Sequence, residues 1–137
     1  MWTRAIHEFI MSCPQFEGRD INVNYLGYKE GDCSLEPIGE TEVVKIYCDG
    51  KRVLSCDFCI GVRCGFDENS SLNIKDVEFL EKLAMWLEKQ GSMGILPELS
   101  EDFLPVAISI KRMPHLFESS VQGARMQLEF TFTYREI

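Results

Sequence analysis

The stretch LSCDFCIGVRCG, residues 54–65, decides how this chain folds, because its cysteines Cys56, Cys59 and Cys64 can be read two ways. Read as a CxxC, it is one corner of a zinc site or a redox pair. Read by alternation, it is a strand, with Leu54, Cys56, Phe58, Ile60, Val62 and Cys64 on one face and Ser55, Asp57, Cys59, Gly61 and Arg63 on the other. Residues three apart in a strand point to opposite faces, so on this reading Cys56 and Cys59 cannot converge on one ion. A zinc CxxC sits on a tight turn and wants a second ligand pair. The chain has no second CxxC, and His7 and His115 have no ligand spacing to each other. A thioredoxin-type pair opens a helix, whereas this one lies inside a β pattern. The strand reading is preferred, with the cysteines as small buried hydrophobes.

Upstream, residues 42–48 form a hairpin with 52–64 around Asp49-Gly50. A two-residue loop would put Val44 and Ile46 on the face opposite Leu54, Cys56 and Phe58. A type I turn with Gly50 as a left-handed bulge residue restores the match. The last strand is the clearest: Met126, Leu128, Phe130, Phe132 and Tyr134 face one way, and Gln127, Glu129, Thr131, Thr133 and Arg135 the other. Val106, Ile108 and Ile110 alternate as a further strand, and so do Ile21, Val23 and Tyr25.

Two segments have helical period. Trp2, Ile6, Phe9, Ile10 and Cys13 make one stripe, which Pro14 ends; His7 flanks that stripe as a boundary residue. Residues 73–90 make the main helix, with Asn73 as N-cap and Gly91 placed to stop it. Its apolar arc is wide. Val77, Leu80, Ala84 and Leu87 can meet a sheet, while Phe79, Leu83 and Trp86 need a second neighbour, expected to be the first helix around Trp2, Ile6 and Phe9. The segment 27–41, with three glycines, a proline and four carboxylates, reads as a long loop or arm available for contact. The expected fold is α+β: one domain, 1–137, built on a mostly antiparallel sheet of about five strands with two helices packed on one face.

Composition narrows function more than motifs do. The chain has 137 residues, 14 Lys+Arg against 22 Asp+Glu, and a net charge of −8, which argues against gripping nucleic-acid phosphates. No apolar run suits a membrane span, and Arg4, His7 and Glu8 interrupt the N-terminal apolar residues, so no signal peptide is read there. GxGxxG, GxxxxGK, HExxH and GxSxG are all missing, and no carboxylate couple stands out. No enzyme, catalytic residue, metal or cofactor is expected.

Four blocks in order carry a resemblance: CPQFEGRDINVNYLG (13–27), VVKIYCDGKRVLSCDFCI (43–60), LAMWLEKQGSMGILPELSE (83–101) and GARMQLEFTFTYRE (123–136). The third resembles the W-L-x-x-Q…L-P-x-L block of small minor capsid proteins, or tail terminators, from tailed phages and prophages of Gram-positive bacteria. The chain departs from that family at Asp49-Gly50-Lys51, where D-G-S is usual, at Cys33, where a tyrosine is usual, and at His115-Leu116-Phe117, near a usual Gly-Tyr pair. The resemblance implies a virion structural protein. It would form an oligomeric ring, a hexamer matching a six-fold tail tube, that caps the head-proximal tail end during virion assembly. The implied partners are further copies of itself, the major tail tube protein and a neck or head-completion protein, with DNA passing without specific binding and no membrane involved. The protein would reside in the virion, and in the host cytoplasm during assembly, staying monomeric alone until it meets the tail. Tyr28, Leu35, Pro37 and Ile38 in the 27–41 segment are the candidate interface residues, and a sheet edge is the second candidate surface. The alternatives are a small CxxC metal-binding or redox protein and a monomeric prophage-encoded binding module.

Overall fold

A computed structural model describes residues 2–16, 19–27, 29–65, 74–120 and 123–137. In chain order the elements are helix α1 (Thr3–Met11), a 3₁₀ turn (Pro14–Phe16), β1 (Asn22–Val23), β2 (Cys33–Ile46), β3 (Arg52–Cys64), α2 (Ile74–Ser92), β4 (Phe103–Ser120) and β5 (Gly123–Glu136). The strands form one sheet in the order β1-β2-β3-β5-β4, antiparallel except for the short β1–β2 pair. The fold is α+β, as expected.

Residues 54–64 are strand, and their alternation holds. Cys56 lies opposite Phe132 on the helix-covered face, and Cys59 lies opposite Glu129 on the other. Apolar residues of β3 and β5 pair across that covered face, with the Phe58 and Phe130 rings stacked at 5.7 Å. Ile6 and Ile10 of α1, and Leu80, Leu83, Ala84 and Leu87 of α2, close the core over them, all essentially inaccessible to solvent. The second stripe of α2 finds its neighbours inside the chain. Trp86 packs on Phe9 at 5.2 Å, while Phe79 packs on Phe16 of the 3₁₀ turn rather than on α1 itself. Trp2 instead contacts Phe103 and Tyr134, pinning the start of α1 to the β4–β5 end of the sheet. His7 is a boundary residue whose Nε2 lies 3.0 Å from the Ile21 carbonyl oxygen.

The hairpin turns as its sequence predicts. Gly50 has φ +86°, its N–H donates to Tyr47 O, and the Tyr47 N–H donates to Lys51 O. A further bulge at Val44, between Val43 (opposite Leu54) and Lys45 (opposite Val53), splits the pattern, so Ile46 and Val43 share the covered face and Val44 is the extra residue.

Four expectations need correction. The arm at 27–41 is largely strand: after a turn at Lys29–Asp32, β2 begins at Cys33 and pairs with β3 as far as Arg52. Pro37 and Gly39 hide this in the sequence, but an outer strand tolerates a proline, and Gly39 at φ +64° sits in a bulge between Ile38 and Glu42. The strand at Ile21–Tyr25 shrinks to Asn22–Val23, because Asn24 adopts φ +57° and turns the chain away. Val23 and Tyr25 are therefore exposed while Ile21 is buried. Gly91 does not end α2. The helix runs on to Ser92 and stops at Gly94 (φ +72°), where the Ile95 N–H donates to Gln90 O and the Gly94 N–H to Gly91 O, a Schellman closure. Gly91 is instead a contact point, since a Cβ there would lie 2.6 Å from the Ile108 carbonyl oxygen of β4. Finally, β4 extends well past Ile110, to Ser120, with four register shifts that the simple alternation of Val106, Ile108 and Ile110 does not foresee. Asn73, the expected N-cap, lies outside the described residues.

Candidate assembly surface

The candidate interface residues do not form one patch. Tyr28 lies outside the described residues. Leu35 is fully buried opposite Ile60 and belongs to the core. Pro37 is exposed and Ile38 half-buried, and they sit on opposite faces of β2, across from Phe58 and Asp57 respectively. The exposed apolar side chains gather elsewhere. On β2 and its turn they are Val43, Val44, Ile46 and Tyr47; on β4 they are Leu104, Val106, Met113, Leu116 and Phe117. These are the two outer strands of the antiparallel ladder, since β1 covers β2 only at Ser34 and Leu35. The β-branched run Thr41, Val43, Val44, Ile46 was the available sequence signal for the first group.

The sheet face away from the helices is polar, and its charges answer one another. Arg125 lies across β3, which its size permits because residue 61 is glycine: a Cβ there would lie 3.0 Å from the guanidinium carbon. From that position its Nη2 donates to Glu36 Oε2 at 3.0 Å, its Nε donates to Gln127 Oε1 at 3.1 Å, and the Phe117 ring covers it at 5.1 Å. Nearby, Lys111 Nζ donates to Asp57 Oδ2 at 2.6 Å and Arg112 to Glu129 at 3.3 Å. Burial pushes the Glu36 carboxyl up, but the hydrogen bond and charge of Arg125, aided by Ser34 and Cys59, outweigh it and hold the carboxyl below its usual range. Asp57 follows the same pattern, with burial opposed by Lys111 and Thr131.

A group whose folded pKa is lowered contributes stability that is present above its unfolded pKa and is lost as pH falls through the folded value. The stability gap between the wild type and Glu36→Gln is therefore expected to be widest near neutral pH and to close in acid. Urea-unfolding midpoints across the acid range check this; an unchanged gap from neutral to strongly acid pH would remove the Glu36–Arg125 pair as a source of stability.

The six cysteines are free thiols. Cys13, Cys33, Cys59 and Cys64 are buried, Cys56 is half-buried and Cys48 is exposed, with none in a disulfide. Burial pushes Cys33, Cys56, Cys59 and Cys64 up to about 11, which disfavours the reactive thiolate. Among the described residues no group of three His, Cys, Asp or Glu side chains could hold a metal ion. Cys59 departs from a plain polar-face residue, because it is buried beneath the ion pair, its Sγ 3.8 Å from Glu36 Oε2 and 3.7 Å from Arg125 Nη2. Cys59→Ser supplies a hydroxyl with a partner waiting and is expected to change stability by less than about 1 kcal/mol. Cys56→Ser, on the apolar face, is expected to cost about 1–2 kcal/mol. Thermal melts of the two variants compare them directly.

No helix among the described residues is long and apolar enough to cross a membrane. In comparisons with known proteins, the chain matches no family model and no curated protein.

Proposed function

We propose that this chain is a virion structural protein of a tailed phage or prophage: a tail terminator, or minor capsid protein, that caps the head-proximal end of the tail and joins it to the neck. The observation that carries the reading is the four sequence blocks, which resemble that family in order across nearly the whole chain. Two features of the molecule support it. A group of exposed apolar residues lies on the two outer strands, which suits an assembly protein. Lys111, Arg112 and Arg125 on the open sheet face are bonded to the chain's own carboxylates, and the net charge is −8, which suits a ring that lets DNA through without holding it. Its partners are then further copies of itself, the tail tube protein and a neck protein, and its place is the virion and the host cytoplasm where virions assemble.

The test is to mix the purified protein with assembled tail tubes of the phage that encodes it and to image the tube ends by electron microscopy. One end of each tube is expected to gain a ring of density. Tubes that stay uncapped at saturating protein would overturn the role.

A further inference from the structure

The order β1-β2-β3-β5-β4 has a consequence for how copies can meet. Three antiparallel steps separate β2 from β4, so the two outer strands run in opposite directions. Two copies set side by side in the same orientation therefore bring the β4 edge of one against the β2 edge of the other as an antiparallel pair, with no flip and with both helix layers on the same side. We infer that copies of this chain join head to tail in this way, residues 40–46 of β2 pairing with residues 106–113 of β4 in the next copy. This deepens the ring reading and rests on it.

Both segments have the means to pair. Backbone groups on their outer sides have no strand neighbour among the described residues, because β1 reaches only Ser34 and Leu35. Prolines lie outside the segments, Pro37 before the first and Pro105 and Pro114 flanking the second, while bulges at Val44, Val106 and Lys111 lie within them. Each segment exposes apolar surface that pairing would cover, Val43, Val44 and Ile46 on one and Val106 and Met113 on the other.

Charge chooses the partner. The β2 segment carries Glu40 and Glu42, and the β4 segment carries Lys111 and Arg112, whose side chains stay 51% and 60% exposed while bonded within the chain. Lys111 reaches inward across β5 to Asp57 on β3, and a carboxylate of the next copy would draw it outward by exchange of partner. Pairing β2 with its own copy would instead set the same acidic strand against itself, and like charges across a ladder destabilise it. Lys45, the one cation of the β2 segment, lies at its far end over the Tyr47 ring. One register places Glu42 opposite Lys111 on the open face and Val43 opposite Ile110 on the helix face, and the bulge at Val44 ends that match. A head-to-tail contact of this kind closes into a ring when its rotation allows.

The experiment is cross-linking in a Cys48→Ser background, with Val44→Cys and Ser109→Cys, both at exposed positions. The two single variants carry tags of different mass and are treated with a short bismaleimide, separately and mixed, in the presence of tail tubes. The mixture is expected to yield dimers holding one of each variant, the double variant a ladder ending at the ring, and the yield to fall at high salt. Val44→Cys dimers formed alone at equal yield would overturn the head-to-tail contact in favour of a two-fold one. Capped tubes with no cross-link would overturn these edges and leave the ring reading standing. Uncapped tubes with no cross-link would remove both.

Discussion

Tyr134→Ala is expected to destabilise the protein by about 4 kcal/mol, near the middle of the range for deleting a buried aromatic. Tyr134 is 1% exposed on β5, and its ring meets Trp2 at 5.5 Å, Phe132 at 5.7 Å and Phe103 at 5.8 Å. Those neighbours belong to the start of α1, to β5 itself and to the start of β4, so one truncation loosens three elements. Total stabilities of small domains run from about 5 to 15 kcal/mol, so the variant keeps little reserve. Urea unfolding followed by tryptophan fluorescence measures the loss, and the Trp2 emission should shift to the red before the global transition. A cost below about 1 kcal/mol would mean that the three contacts are not cooperative with the core.

Gly91→Ala is expected to cost about 2 kcal/mol, against the direction that helix propensity gives. Within a helix, glycine to alanine ordinarily stabilises by up to about 1 kcal/mol. Here the added Cβ would sit 2.6 Å from the Ile108 carbonyl oxygen and 3.3 Å from its Cγ2, so α2 or β4 must move, and overpacking of this kind costs about 1–3 kcal/mol. Backbone cannot rotate out of the way as a side chain can. The sign is therefore the test: a raised unfolding midpoint for Gly91→Ala would show that the helix and strand do not approach as described.

The main lines of the fold were legible where one physical signal acted alone. Period-two alternation identified β3 and β5, Asp49-Gly50 identified the hairpin with its left-handed glycine, and period-3.6 stripes identified both helices. Legibility failed where local chemistry opposes tertiary position. Pro37 and Gly39 look like loop residues until the strand is known to lie on the outside of the sheet. Gly91 looks like a helix stop until Ile108 is known to lie against it. The polar face was invisible for a different reason: Arg125 and Glu36 meet across 89 residues of sequence, through a gap left by Gly61, and no local pattern encodes such a pair. The candidate surface was legible only as a class. A free sheet edge was foreseeable, but the sequence pointed to Leu35, a core residue, while the exposed apolar groups lie further along the same strand.

The placement of the cysteines also sets how the protein ages in air. Thiol oxidation begins at the thiolate, and a thiol held at about 11 carries roughly 100-fold less thiolate at neutral pH than an unburied one. The exposed thiol is Cys48, in the turn between β2 and β3. Thiol oxidation in aerated buffer will therefore collect at that one turn, as disulfides or sulfenic acid, while the buried cysteines keep their reduced state. The state of the thiols in a preparation can accordingly be read at a single residue, without the core having changed.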